Sequence, residues 1–199
     1  MMFKEKTKLI VTDFQFKKLE KFVELIEFYN QNFNLTGFSG DKLWKEGIYE
    51  SIITMNFISE FVKKDKISVL DIGAGVGFPS IPFLIVSSKI DLTICESRKK
   101  RCQFLQIVAR KLDLEFELIC ERAERIENKN FDLITARALA NLQKLEILVK
   151  KIVTQKTVVA FIKGPKVFDE QKNCQNCNYE IMEIKNNMDK KIYVAIRKK

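Results

Sequence analysis

Three glycines carry the densest chemical information in this chain. They stand in Asp71-Ile72-Gly73-Ala74-Gly75-Val76-Gly77-Phe78-Pro79, behind an apolar run and ahead of another. Such a pattern reads as a buried strand, a glycine bend and a helix start. Backbone at such a bend can press against a nucleoside-bearing cofactor, because glycine has no Cβ to hold the ligand off and adopts positive φ. The spacing is G-x-G-x-G. The dinucleotide fingerprint is G-x-G-x-x-G, and Phe78 occupies the place of its last glycine. A phosphate-binding P-loop carries Lys and Ser/Thr after its final glycine, and neither follows here. S-adenosylmethionine, which has no phosphate, is the remaining common user of such a bend. The competing reading is a tight strand-to-helix turn without a ligand.

Three more positions could share that chemistry. Glu96 stands about 25 residues beyond Asp71, where an acid can accept hydrogen bonds from ribose hydroxyls. Its competing reading is a solvated acid favourable to a helix N-terminus. Glu121-Arg122-Ala123-Glu124 and Ala136-Arg137-Ala138 each follow or end an apolar run. Arg137 would sit over the acceptor side of a bound cofactor, or would be spent in a surface salt bridge.

The elements that must position these residues alternate. Thr12 and Gln15 have capping-box spacing for a helix to about Gln31, with Leu19, Phe22, Val23 and Ile26 on one face. Asn34-Leu35-Thr36-Gly37 breaks it, and a second helix is expected over about Leu43–Val62. From Ile67 onward strands and helices follow each other: strands at Ile67–Ile72, Leu92–Glu96, Glu115–Ile119, Phe131–Ala136 and Thr157–Lys163. Helices are expected at Gly77–Val86, from a Ser97 cap to about Leu112, and around Leu142–Val153. Tyr179–Ile184 and Lys191–Ile196 read as an antiparallel hairpin. Repeated βαβ units imply an α/β fold with a mostly parallel sheet. Five parallel strands plus a terminal hairpin match the Rossmann-like, seven-stranded class I methyltransferase sheet better than a dinucleotide sheet. Residues 1–64 are then a helical extension and 65–199 the catalytic domain, together one structural unit.

Composition narrows the classes. A chain of 199 residues, 46% of them hydrophobic, can bury one full core. No apolar run reaches the roughly 20 residues that span a bilayer, and the charged N-terminus lacks a leader-type segment. A cytoplasmic monomer away from membranes is expected. The net charge of +9 suits a polyanion such as RNA. Candidate contacts are Arg98-Lys99-Lys100-Arg101, Lys150-Lys151, Lys163 with Lys166, and Arg197-Lys198-Lys199, though charge runs are usually solvated faces. The chain has no histidine, which removes histidine bases, dyads and metal ligands. Its five cysteines are Cys95, Cys102, Cys120, Cys174 and Cys177. An odd count without an export signal favours reduced thiols. Cys174-x-x-Cys177 lacks a second pair for zinc and reads as two incidental thiols, so no metal is expected.

Six segments together carry a family resemblance. Asn34-Leu35-Thr36, Leu70 through Pro79, Ile81-Pro82, Arg122-Ala123-Glu124, Ala136-Arg137-Ala138 and Ile162-Lys163-Gly164 fall in one characteristic order. The chain resembles the bacterial 16S rRNA guanine-N7 methyltransferases, the glucose-inhibited division protein B family, over nearly its whole length. The resemblance implies S-adenosylmethionine as cofactor, with S-adenosylhomocysteine as product, and 16S rRNA or the small ribosomal subunit as partner. It implies cofactor contacts from Gly73, Phe78, Ala123, Glu124 and Arg137. The bend itself adds Asp71, Gly75 and Gly77, and the second strand adds Glu96. Asn34, Lys163 and Arg137 would face the reaction pocket or the RNA. The chain departs from the family pattern at Gly47, where histidine is usual, at Glu50, where aspartate is, at Ser80, where glycine is, and at Ala136, where serine is.

Substrate chemistry agrees. Pro79, Pro82 and Pro165 form no Pro-Pro pair of the kind used on adenine amines. No cysteine ends the fourth or fifth strand to attack a pyrimidine, and a ribose hydroxyl would need a base. Guanine N7 has an in-plane lone pair and no proton, so it needs none of these. Alternatives from the residues alone are a small-molecule or protein methyltransferase, a cofactor-binding module without catalysis, and a nicotinamide enzyme. Phe78 and the hairpin speak against the last.

Overall fold

The computed structural model describes residues 2–127, 129–175, 177–185 and 188–197. Among these, seven strands form one sheet in the order β3-β2-β1-β4-β5-β7-β6. The strands are β1 (Ile67–Ile72), β2 (Ile90–Cys95), β3 (Glu117–Ile119), β4 (Leu133–Arg137), β5 (Val158–Lys163), β6 (Glu180–Glu183) and β7 (Tyr193–Arg197). The first five run parallel, and β7 runs antiparallel between β5 and β6. β1 lies between β2 and β4. Connections therefore depart from it to both sides, and a crevice opens beyond its C-terminal end.

Helices cover both faces. They are α1 (Phe3–Lys8), α2 (Asp13–Phe33), α3 (Gly40–Lys42), α4 (Glu50–Ser59), α5 (Ser80–Val86), α6 (Lys99–Leu112), α7 (Leu142–Val149) and α8 (Val167–Lys172). A π-helical stretch, Leu43–Tyr49, joins α3 to α4. The Thr12–Gln15 capping box forms, with Thr12 N donating to Gln15 Oε1 at 2.9 Å and Gln15 N to Thr12 Oγ1 at 3.3 Å. Such a cap is worth about 1 kcal/mol. α2 ends at Asn34, whose φ of 49° suits an Asn cap.

The period-2 alternation of the strands sorts side chains between two cores. Ile67 and Val69 join Leu19, Phe22, Ile26, Ile48, Ile52, Phe104 and Val108 on one face. Leu70 and Ile72 join Leu142, Leu145, Val149 and Val167 on the other. The helices ahead of β1 thus share a core with the sheet.

Several boundaries differ from the sequence reading. Gly77 has a φ of 103°, which no helix accepts, so α5 starts at Ser80 rather than Gly77. Arg98, not Ser97, is the N-cap of α6, because the Glu96 carboxylate takes the Arg98 N–H at 2.9 Å. α7 stops at Val149, whose carbonyl accepts from Ile152 N and Val153 N in the turn that follows. α8 was not expected at all; its single buried residue, Val167, leaves almost no apolar period to read. Cys174 and Cys177 are not incidental free thiols: they are joined in a disulfide, their Cα atoms 5.3 Å apart in the turn after α8. Lys198 and Lys199 of the basic tail lie outside the described residues.

Candidate active site

The glycine bend closes on itself through Gly77 N and Phe78 N, which both donate to Ala74 O. It is tied to β2 by Gly73 N, which donates to Cys95 O at 2.7 Å. Gly73 has a φ of 71°, and a Cβ there would meet Leu139 Cδ1 at 2.7 Å. A Cβ on Gly77 would lie 2.4 Å from Ile81 Cγ1. Phe78 turns inward, edge-on to Phe22 and stacked on Phe38. Both partners come from the segments ahead of β1.

Three adjoining cavities run along the C-terminal ends of the strands. The first, about 310 Å³, is lined by Ile72, Gly73, Cys95, Ala123, Glu124 and Leu139, among others. The second, about 320 Å³, is lined by Leu35, Phe38, Gly73, Gly75, Phe78 and Arg101. The third, about 380 Å³, is lined by Glu50, Ile162, Lys163, Gly164, Lys166 and Lys190. Gly73 is common to the first two. Arg137, Ala138 and Lys190 are common to the second and third. The first and second have the size of small-ligand sites and meet at the strained, Cβ-free turn. A nucleoside with a short charged arm fits such a pair: apolar walls and an acid at one end, open backbone at the other.

The expected site residues divide by place. Gly73, Gly75, Phe78, Ala123, Glu124 and Arg137 line the first or second cavity. Asp71 does not. It is fully buried beneath the bend, where Thr135 Oγ1 donates to its Oδ1 at 3.3 Å. Burial pushes its carboxyl up to about 7, against the pull of the Ser80 and Thr135 hydroxyls beside it. Gly77 is likewise buried within the turn. Glu96 is buried and lines none of the three cavities: Oε2 accepts from Gly75 N at 3.0 Å and Oε1 from Arg98 N. In this arrangement its carboxylate braces the bend through those two backbone N–H groups. Asn34 is exposed and lines none of the three cavities. Its neighbour Asn30 holds the loop, accepting from Leu35 N and Thr36 N and donating to Thr36 O. Lys163 lines the third cavity, but its ammonium is held by Glu170 at 2.6 Å and Ala140 O at 2.7 Å.

Arg137 is also engaged. Its Nη2 lies 2.8 Å from Glu50 Oε1 and donates to Glu46 O at 2.7 Å, and its Nη1 reaches Ser51 Oγ at 3.4 Å. Arg137 and Glu50 are 10% and 3% exposed, so this pair is buried. Removing one partner of such a pair costs roughly 3–5 kcal/mol. Burial pushes the Glu50 carboxyl up, and Arg137 and then Lys190 oppose that. The π-helical stretch explains how the contact forms: the Glu46 carbonyl accepts from Arg137, and the Gly47 carbonyl from Ser51 Oγ. At Gly47 the ring of Phe78 fills the space a side chain would take. Glu46, Glu50, Asn30 and Lys190 were not singled out as site residues. Asn30 and Lys190 sit in polar runs without a motif, and Glu46 acts through its backbone.

The cysteine chemistry is quiet. Cys95 lines the first cavity, but burial pushes its thiol up to about 12, and it donates to Glu121 O. Among the described residues no cluster of three or more metal-binding side chains forms, and no helix is long and apolar enough to cross a membrane.

Residues 15–194 match the family model described as GidB, rRNA small subunit methyltransferase G. The chain is 57% identical over 199 residues to a ribosomal RNA small subunit methyltransferase G of Mesomycoplasma hyopneumoniae, covering 98% of both. A Mycoplasma mobile protein of the same name is 41% identical, covering 91% of this chain and 83% of the relative. Among solved structures, the SAM-bound magnesium protoporphyrin IX methyltransferase of Synechocystis aligns with a TM-score of 0.62 at 10% identity, over 89% and 97% of the chains. A ribosomal protein L11 methylase of Lactobacillus delbrueckii gives 0.56 at 20% identity, over 74% and 77%. At those identities the shared property is the class I methyltransferase fold.

Proposed function

The chain belongs to the GidB family of small-subunit ribosomal RNA methyltransferases, and we propose that it moves a methyl group from S-adenosylmethionine to N7 of a guanine in 16S rRNA. The observation that carries the reading is the run of cavities meeting at Gly73 and Arg137. One end suits a nucleoside and the other a base. Ala123 and Glu124 would hold the nucleoside end, and Gly73, Gly75 and Phe78 the turn beside the reacting group. S-adenosylmethionine, when bound, supplies a methyl group on a positively charged sulfur.

The chain's own contribution is placement. Guanine N7 needs no base to remove a proton, which is compatible with a chain without histidine. Holding N7 about 3 Å from the methyl carbon, in line with the bond that breaks, supplies most of what such a reaction requires. Positive charge passes from sulfur to base, so Arg137 is better suited to organising the groove than to stabilising the product. Asn34 and Lys163 would act at the margin, toward the RNA. The protein would act as a monomer in the cytoplasm, on free 16S rRNA or on the small subunit.

The test is labelled methyl transfer to small-subunit RNA from cells lacking this protein, followed by nucleoside analysis. Label in 7-methylguanosine is expected. Label in another nucleoside, or none, overturns the reading.

A further inference from the structure

The Glu50 carboxylate is half used. Its Oε1 receives the Arg137 guanidinium at 2.8 Å. Its Oε2 is buried and has no hydrogen-bond partner among the described residues. Lys190 Nζ is 4.0 Å away, beyond hydrogen-bond reach. A buried carboxylate oxygen without a donor is costly, and this one gains most from a donor that enters the cavity it lines. Glu50 lines the third cavity, which adjoins the glycine bend through Arg137 and Ala138.

We infer that Glu50 is the residue that reads the target base, accepting the N1–H and N2–H of guanine in this cavity. The inference deepens the function proposed above and rests on it. Guanine alone among the four RNA bases carries two adjacent donors on its Watson–Crick edge. Adenine and cytosine have a ring acceptor beside their amino group, and uracil flanks its single N–H with carbonyls. The second oxygen of the ionised Glu50 carboxylate is acceptor-only and has lone pairs for both donors. N7 lies on the other edge of the ring, so a base held this way keeps N7 free to react. Arg137 then acts as a positioning residue: it fixes Glu50 through Oε1 and leaves the second oxygen to the base. The exposed Lys166 ammonium at the same cavity suits a phosphate of the nucleotide that enters, while Lys190 is held by Glu46 at 3.1 Å.

Small-subunit RNA rebuilt with inosine at the target position tests this. Inosine keeps N7, O6 and N1–H and lacks only the N2 amino group. The wild-type protein should lose about tenfold or more in kcat/KM on the inosine RNA, as expected for one lost bond to a charged acceptor. Glu50→Gln should be slower on guanosine RNA and should show a guanosine-to-inosine ratio near one. Glu50→Asp keeps a carboxylate and should keep the preference. A purely structural Glu50 would lower rates without changing that ratio. Equal wild-type rates on the two RNAs, or an undiminished preference in Glu50→Gln, overturn the assignment. No transfer by wild type to the guanosine RNA overturns the function reading itself, and this inference with it.

Discussion

Asp71 is the acid of the glycine motif, yet in the folded chain it meets no cavity. Its carboxylate lies fully buried under the bend, and its pKa is raised to about 7 by burial. The sign of the consequence follows from linkage. A folded-state pKa above the unfolded one means that the native state holds the proton more tightly, so stability is greatest at acid pH and is lost as pH rises through about 7. Asp71→Asn should therefore flatten the pH dependence. In thermal melts its Tm should fall less than the wild type's between pH 5 and pH 8. A parallel loss in both proteins would show that Asp71 does not set that slope. Glu96 and Arg137 teach the same lesson at this scale. Residue type and spacing marked both, but the charge each carries is already met inside the protein, by backbone N–H groups for one and by Glu50 for the other.

The loop between α2 and α3 shows what one element demands of another. Leu35 is buried and Phe38 stacks on Phe78, so this loop forms one wall of the cavity beside the glycine bend. Asn30 holds it with three hydrogen bonds from the last turn of α2. Asn30→Ala should release the loop at a cost of about 1–3 kcal/mol, the price of the unmet backbone groups. Amide exchange at Leu35 and Thr36 should speed up, and S-adenosylhomocysteine should bind several-fold more weakly by calorimetry. Unchanged exchange would mean that the loop is held by Leu35 and Phe38 alone. The sequence marked the end of α2 through Asn34-Leu35-Thr36-Gly37, because a helix stop is local chemistry. The holding role of Asn30 was invisible, since an asparagine near a helix end has many uses. β1 matched its expected span because apolar alternation between a charged linker and a glycine bend leaves little freedom. α8 was missed because one buried residue makes no pattern.

At the scale of the whole molecule the net charge of +9 is the relevant quantity. Arg98, Lys99, Lys100, Lys150, Lys151 and Lys166 are exposed and stand free to meet phosphates. Arg101, Lys163 and Arg197 are instead paired with Glu96, Glu170 and Glu146. If RNA is held largely by the exposed set, kcat/KM for RNA should fall at least about tenfold between 50 and 200 mM salt, while S-adenosylhomocysteine affinity barely changes. Salt-insensitive turnover would point away from a polyanionic substrate.

The alternating α/β order, the glycine bend with its ligand class, and the chemistry that a chain without histidine must do without are all legible along the chain. These depend on neighbours along the chain: periodicity, caps and the conformational freedom of single residues. Which charged groups remain available emerges on folding. Arg137 meets Glu50, Lys163 meets Glu170, and one oxygen of Glu50 is left without a partner beside a cavity. Each of those outcomes joins residues from separate elements. The first and last join α4 to the end of β4 and the second joins β5 to α8, and no local pattern in the chain records either meeting.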